Sequence, residues 1–299
     1  MTVAGRMRLV VVGEPSGWHV GRVVEAARAR GHAAMVVRWP ELATAIGGPC
    51  GGIEGSQERF HPTAVEEADA VLVRGMPVGG LEEVIFRMNL LGRIAERGTR
   101  VVNPPRSLEL AIDKHLSLAR LAAAGLPVPR SHVAQTPSAI RDAWMALGGD
   151  AVVKPLFGSQ GKGIVRLADP TSLDRFLAGR PPEAVAYLQA FVPHAGWDAR
   201  LFVLGNEVLA MRRSSSTDWR TNIALGGSAG PMTPSAAWID LAREATRVLG
   251  ASIVGIDLVE SLTGEVFILE ANAVPGWRAL ESVVGEDIAD RVVRFLERL

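Results

Sequence analysis

Lysine is nearly absent. Of 32 basic residues in the 299-residue chain, only Lys114, Lys154 and Lys162 are lysines, and the other 29 are arginines. A genome that favours arginine codons explains the 29 better than it explains the three. A compact ammonium reaches a phosphate as a point charge, which a planar guanidinium does not imitate. Lysines retained in such a chain are therefore pointers to phosphate sites. Cysteine is as scarce. The single Cys50 can form no intramolecular disulfide, which suits a reducing cytosol, and a cytoplasmic location is expected. Cys50 itself reads as a small loop residue between glycines. Net charge is also missing: 32 acidic residues balance 32 basic ones, which argues against general affinity for nucleic acid or an anionic membrane. No run of about 18 apolar residues exists to cross a membrane. The apolar run in MTVAGRMRLVVVGEP ends at Glu14 and reads as a first strand, since a signal peptide needs a longer one and a cleavage site. There is no internal repeat and no low-complexity tract. What remains is 48% hydrophobic, with mean hydropathy +0.18, enough for a large core and two or three modest domains.

Strand and helix alternate over residues 1–105. RLVVVG (8–13), AAMVVRW (33–39), ADAVLVRG (68–75) and TRVVN (99–103) read as strands. HVGRVVEAARARG (19–31) and LEEVIFRMNLLGRIAERG (81–98) read as helices closed by glycine. This predicts a small open parallel sheet with helices on its faces. AIGGPCGGIEGSQ (45–57) is a glycine-rich loop. The pattern then turns α+β. SLELAIDKHLSLARLAAAG (107–125) reads as one helix with a capping serine, and LPVPRSHVA as an extended edge. AVVKPL (151–156) and GIVRL (163–167) form a hairpin. Residues 169–179 and 235–249 read as helices, 186–215 as several strands, and 285–298 as a last helix. Domains are expected at 1–105, 106–187 and 188–299.

VVKPLFGSQGKGIVRL (152–167) carries a lysine before its glycines and another among them. It is not a Walker A loop, because Lys162 is followed by Gly163 and Leu156 stands where the first glycine belongs. A G-x-G-x-x-G match fails at Arg166. What remains is a hairpin tip whose backbone N–H groups can close over phosphates, with Lys154 on the strand entering it. An ordinary glycine-rich hairpin is the plain alternative.

IVGIDLVESLTGEVFILEANAVPG holds the second constellation. Glu270 and Asn272 are two apart on a strand and share a face. If Ser261 faces Val266 across a turn of Leu262 to Glu265, Asp257 sits opposite Glu270. Two carboxylates across strands repel, and apolar flanks worsen the repulsion. Either one takes a proton, or a divalent cation neutralises both. Two carboxylates and an amide oxygen suit Mg²⁺; a half-buried strand pair with polar ends is the alternative. Between the two constellations runs GWDARLFVLGNEVLAMRRSSSTDWRTN. Gly205-Asn206 turns one strand into the next, and Asp198 and Arg200 share one face. Arg213, Arg220 and Asn222 follow. Guanidinium groups near such a loop suit changing charge on carboxylate or phosphate oxygens, although most of 29 arginines are solvated surface.

DKHLSLARLAAAGLPVPRS, VVKPLFGSQGKGI, YLQAFVPHAGWDARLFVLGNEVLA, DWRTNIALGG and GIDLV…LEANAVPGW occur in that order. Together they resemble the ATP-grasp superfamily and, within it, the RimK-type α-L-glutamate ligases. The resemblance covers about residues 107–282. It implies an ATP-grasp fold with an N-terminal open parallel-sheet domain, a small central lid domain and a C-terminal α+β domain. It also implies an ADP-forming carboxylate–amine ligase. Lys114 and Lys154 would contact ATP phosphates. Gly158, Ser159, Gln160, Gly161, Lys162 and Gly163 would form the lid. Gln189, Ala190, Phe191 and Val192 would form the adenine hinge, mostly through backbone groups, and Asp198 would reach the ribose. Asp257, Glu270 and Asn272 would hold two Mg²⁺, with Mn²⁺ an alternative. Arg200, Arg213, Arg220 and Asn222 would bind the transferring phosphoryl group and the acyl phosphate.

Two departures bear on substrate. Ala190 follows the hinge glutamine where relatives usually carry an acid, which leaves adenine recognition to backbone groups. NIALGG lacks the basic residues of ribosomal-protein-modifying members, whereas KPLFGS, WRTN and NAVPGW resemble ligases that glutamylate methanopterin-type cofactors. A small-molecule carboxylate and an amino acid, L-glutamate first, are the expected partners, with no nucleic acid and no membrane. A protein C-terminus is the alternative acceptor, and a homo-oligomer stays open. Two other readings compete: an ATP-binding sensor or scaffold without turnover, and a kinase acting on a hydroxyl, for which His194 is the remote candidate base. His194 otherwise reads as a surface or loop residue.

Overall fold

A computed structural model describes residues 5–47, 58–158, 161–181 and 184–299. The elements run in order: β1 (Arg8–Val12), α1 (Trp18–Ala29), β2 (Ala33–Val37), β3 (Ala43–Ile46), β4 (Glu58–His61), β5 (Ala70–Val73), α2 (Leu81–Glu96), β6 (Arg100–Val102) and α3 (Pro105–Ile112). There follow α4 (Lys114–Ala123), β7 (Ser131–Ala134), α5 (Pro137–Ala146), β8 (Ala151–Lys154), β9 (Val165–Leu167), α6 (Pro170–Gly179), β10 (Ala186–Ala190), β11 (Trp197–Leu204) and β12 (Glu207–Ser214). The chain closes with β13 (Ser228–Pro231), α7 (Ala236–Val248), β14 (Ile253–Glu260), β15 (Val266–Asn272), α8 (Arg278–Val284) and α9 (Ile288–Leu296). Two compact units result. The first comprises residues 1–109, 250–253 and 273–299, and the second residues 110–249 and 254–272.

In the first unit, β2-β1-β5-β6 form a parallel sheet. Leu9 to Val12 and Ala70 to Val73 are buried, as strands covered on both faces must be. The β3–β4 hairpin lies apart from this sheet, and most of the expected loop 45–57, with Cys50, falls outside the described residues. Asn103 ties this unit together. Its Nδ2 donates to the carbonyls of Ile253 and Ala273 at 2.7 Å each, and its Oδ1 accepts from Ser252 and Ile253 amides. All four bonding positions of one buried amide are thereby filled.

In the second unit, the antiparallel sheet β7-β10-β8-β9 places β7 at the edge. α5 and α6 cover its apolar face through Ile140, Leu147, Leu173 and Phe176 against Val153, Leu167 and Leu188. Each fully buried aliphatic side chain there contributes about 1.5–3 kcal/mol. The other sheet, β13-β12-β11-β14-β15, carries the polar residues described below.

Two expectations are corrected. The helix expected over 107–125 is two helices, because Asp113 leaves helical geometry and its side chain caps α4 at the Leu116 amide. Ser107 is no cap: its hydroxyl donates to the Gly250 carbonyl at 2.7 Å. The assumed hairpin register is also off by one. Glu260, not Ser261, faces Val266, because Ser261 is drawn into the turn by its amide bond to the Glu265 carbonyl. A β-bulge between Asp257 and Leu258 then shifts the pairing, so Asp257 still faces Glu270.

Candidate active site

β11 and β12 are joined at Gly205-Asn206, with Leu204 opposite Glu207. That register sets Asp198 opposite Arg213. Both Asp198 oxygens accept from Arg213, at 2.7 and 2.6 Å, and Arg213 also reaches Asp257 at 2.9 Å. Arg200, two residues from Asp198 on the same face, grips Asp257 through both Nε and Nη2. Asp198, Arg213 and Asp257 are all buried, and bidentate charge-assisted pairs offset the cost of removing them from water. Burial disfavours the Asp257 anion, but Arg200 and Arg213 outweigh it and hold the carboxyl below its ordinary range. The Arg213 guanidinium is likewise held in its charged form by Asp257 and Asp198 against the burial that opposes it.

The bulge has a second effect. In a regular strand Leu269 and Glu270 would face opposite ways; here both line one cleft, together with Val259 and with Asp257, which faces Glu270. Asn272 pairs with Gly255 at the strand end. Among the described residues no three His, Cys, Asp or Glu side chains gather as a metal cluster. The candidate set is two carboxylates and an amide. Asp257 stays ionised, and of the about four lone-pair positions of a carboxylate three accept from Arg200 and Arg213, so one remains to join Glu270 and Asn272 in an all-oxygen set of the kind Mg²⁺ takes.

The glycine hairpin runs as expected, with β8 and β9 antiparallel and Val153 opposite Val165. Lys154 ends β8, buried, and donates to Gln189 Oε1 at 2.6 Å; Gln189 Nε2 donates to the Tyr187 hydroxyl, which donates to Ser131. Burial pushes Lys154 down to about 8, with Glu270 opposing the shift. Lys114, at the start of α4, donates to the Gly158 carbonyl at 2.7 Å and lies 3.9 Å from Glu270. Gly161 and Gly163 have φ of +74° and +72°. A Cβ on Gly161 would lie 2.6 Å from Asn222 Oδ1, so the tip packs on the 218–222 segment only with glycine there. Arg220 is held by Asp218. Lys162 is exposed, with no polar partner among the described residues. Ser159 and Gln160 lie outside the described residues.

One cleft thus brings together Lys154, Gln189, Ala190, Phe191, Val192, Asp198, Arg213, Arg220, Asn222, Asp257 and Glu270. Arg200 joins it through Asp257, and Lys114 approaches it through Glu270. Sequence reasoning missed its walls: Val152, Ile164, Trp219, Thr221, Val259 and Leu269. Trp219 had a signal, an aromatic inside DWRTN, and it meets Phe191 edge to face at 5.7 Å. Arg166, fixed by Asp150, covers the other side of Phe191 at 3.4 Å. His194 is a loop residue, as one reading expects. It is half-buried in the cleft, and desolvation lowers its pKa.

Comparison with known proteins identifies the family. The chain is 25% identical over 97% of its length, and 98% of the relative's, to the tetrahydromethanopterin:alpha-L-glutamate ligase of Methanosarcina acetivorans. It is 30% identical, over 93% of this chain and 90% of the other, to a protein named "Probable alpha-L-glutamate ligase" from Thioalkalivibrio sulfidiphilus. Among solved structures, the ATP-grasp ligase PsnB with its minimal precursor superposes with TM-score 0.74 and 27% identity, covering 97% of this chain and 98% of that one. PsnB with precursor, Mg and ADP gives TM-score 0.72 at 25% identity, covering 97% and 99%. The RimK-like ATP-grasp domain model matches residues 111–296. The fold, the cleft and these matches converge: the chain belongs to the RimK-like ATP-grasp family, ligases that use ATP and Mg²⁺.

Proposed function

We propose that this enzyme joins an amino acid, L-glutamate first among candidates, to a small-molecule carboxylate, forming an amide through an acyl phosphate. The observation that best supports this reading is one electrostatic face. Asp257 and Glu270 stand opposite each other, Arg200 and Arg213 lie on the same side, and Lys154 ends the strand that enters the glycine hairpin.

Each residue then has a task. Lys154 and Lys114 hold phosphate oxygens, and the hairpin 158–163 closes over them. The Ala190 and Phe191 amides are occupied by the carbonyls of Arg130 and Asp150, which leaves the Val192 N–H to meet an adenine edge. Phe191 and Trp219 supply apolar surface to the base, and Asp198 binds a ribose hydroxyl. Asp257, Glu270 and Asn272 would hold Mg²⁺, two ions in this reading, which would neutralise charge on the transferring phosphoryl group. Arg200, Arg213, Arg220 and Asn222 stabilise the oxygens as the acceptor carboxylate attacks the γ-phosphate and, later, as the amine displaces phosphate. Closing the hairpin excludes water that would hydrolyse the acyl phosphate.

A second reading has an observation in its favour. PsnB, whose structures contain a precursor peptide, matches at 27% identity over nearly the whole chain, which admits a peptide carboxylate as acceptor. One experiment separates the two. Mg-ATP and L-glutamate are supplied with a panel of small carboxylates and with carboxylate-bearing peptides, and products are read by mass spectrometry. A small acceptor gaining a glutamyl mass, lost in Asp257→Asn with Glu270→Gln, supports the first reading. A peptide gaining a glutamyl mass supports the second. ATP binding without turnover on any acceptor would return weight to a sensor.

A further inference from the structure

His19, Arg74 and Arg278 form a cationic cluster within the first unit that the chemistry above does not use. Arg74 follows β5 directly and lies at the C-terminal end of the parallel sheet. Its amide donates to the Val12 carbonyl at 2.8 Å, and its Cβ lies 3.6 Å from where a Cβ on Gly13 would be. The chain leaves β1 for β2 on one side and returns to β5 on the other. That is the switch point at which open parallel sheets hold ligands, outside the strand C-termini.

The charge arrangement at this point is unusual. Arg74 is only 9% exposed. Its Nη2 donates to the Pro275 carbonyl at 2.7 Å, and its guanidinium lies 4.1 Å from the Trp277 ring. Its Nε is buried and has no partner. No carboxylate pairs with it among the described residues, and none pairs with Arg278, which lies exposed 5.6 Å from the Trp18 ring. A buried cation with one carbonyl and one indole face is under-compensated. His19 Nε2 accepts from the Trp277 amide at 2.9 Å. Burial, with Arg74 and Arg278 beside it, pushes His19 down to about 4. The ring is therefore neutral at pH 7 and carries its proton on Nδ1, as a donor. Helix α1 starts beside it at Trp18, with no side-chain cap from Gly17 and no acid in its first turn. Two unpaired guanidinium groups and a neutral donor suit a planar anion, which would fill the unmet bonds of Arg74.

We propose that Arg74, Arg278 and His19 Nδ1–H form a carboxylate-binding subsite. It holds the carboxylate of a small molecule; reading that molecule as the amino acid or as the acceptor rests on the ligase reading above. Binding is tested without turnover. The full-length protein is titrated calorimetrically at fixed ionic strength with L-glutamate, with glutarate, and with glutaramide as the uncharged control. The wild type binds at least one of the two carboxylates and not glutaramide. Arg74→Gln and Arg278→Gln weaken that binding tenfold or more, with Mg-ATP affinity within twofold of wild type. Binding of L-glutamate alone assigns the amino acid; equal binding of glutarate assigns the acceptor. Wild-type protein that binds Mg-ATP but neither carboxylate overturns the proposal, as does wild-type affinity in the variants. If Arg74→Gln fails to melt cooperatively, the exposed Arg278→Gln decides alone. Carboxylate binding lost in the variants, with no amide product from any acceptor, would keep the subsite and sink the ligase reading.

Discussion

Two buried guanidinium groups, one in each unit, are stabilised by opposite means. Arg213 lies between Asp198 and Asp257, and all three are withdrawn from water together. Arg74 has a backbone carbonyl and the face of Trp277, but no anion among the described residues. The first arrangement is complete as it stands and holds a set of charges in fixed geometry. The second is complete only when something else brings the anion. A buried ion pair and a buried lone ion therefore signal different things: the former a preorganised electrostatic face, the latter a place for a ligand.

The largest effect separates the two directly. Arg213→Met leaves Asp198 and Asp257 buried without their shared cation, and urea denaturation is expected to show a loss of about 3–5 kcal/mol. Arg74→Met removes an unpaired charge and is expected to stay within about 1 kcal/mol of wild type. Equal losses would break the comparison. Next comes Lys154→Met, which removes the ammonium on Gln189. A fall of about a hundredfold in kcat/KM for ATP is expected, and Lys154→Arg should not restore it, because a fork does not fit where a point charge is buried. Smaller again is Gly161→Ala. With φ at +74° and Asn222 in the way, a cost of about 1–3 kcal/mol is expected, read as a lower Tm together with a lower kcat.

The smallest effect is in the pH profile. The folded pKa of Asp257 is depressed from 3.8. Its contribution to stability is therefore present above that value and lost as the pH falls below it. Lys154 acts at the other end. With its folded pKa near 8 against 10.5 unfolded, the unfolded chain holds the extra proton between those values, so stability rises with pH across that window. Burial pushes Arg74 down to about 9, so it too adds slope only on the alkaline side and none in the acid window. Denaturation midpoints for wild type and Lys154→Met between pH 8 and 10 check the second claim: the difference in slope should disappear if Lys154 is not the buried base.

Much of the site was legible before any coordinates. The glycine tip at Gly161 and Gly163, the shared face of Asp198 and Arg200, and the Gly205-Asn206 turn all follow from local rules. Glycine tolerates positive φ, and strand side chains alternate with period two. The pairing of Asp257 with Glu270 was reached from a register that is off by one, and a bulge corrected the outcome. A bulge leaves no local signature in LVESLTGEVFILEAN, because it depends on what the two strands meet on their flanks. Trp219 was missed as a cleft residue for a related reason: Phe191, just past β10, and Arg166 behind it on β9 reach it from far along the chain, while His194 meets Phe191 within one loop.

By itself the sequence determined the alternation of strand and helix, the glycine hairpin with Lys154 at its root, and which polar residues share a strand face. These are consequences of bond geometry and periodicity over a few residues. Only the tertiary structure decided that Arg213 is shared by two aspartates, that Asp113 divides one helix into two, and that Arg74 is buried with no acid beside it among the described residues. Those outcomes depend on desolvation and on partners far along the chain. Their energies are set by what surrounds a charge in three dimensions, and a linear pattern does not contain that.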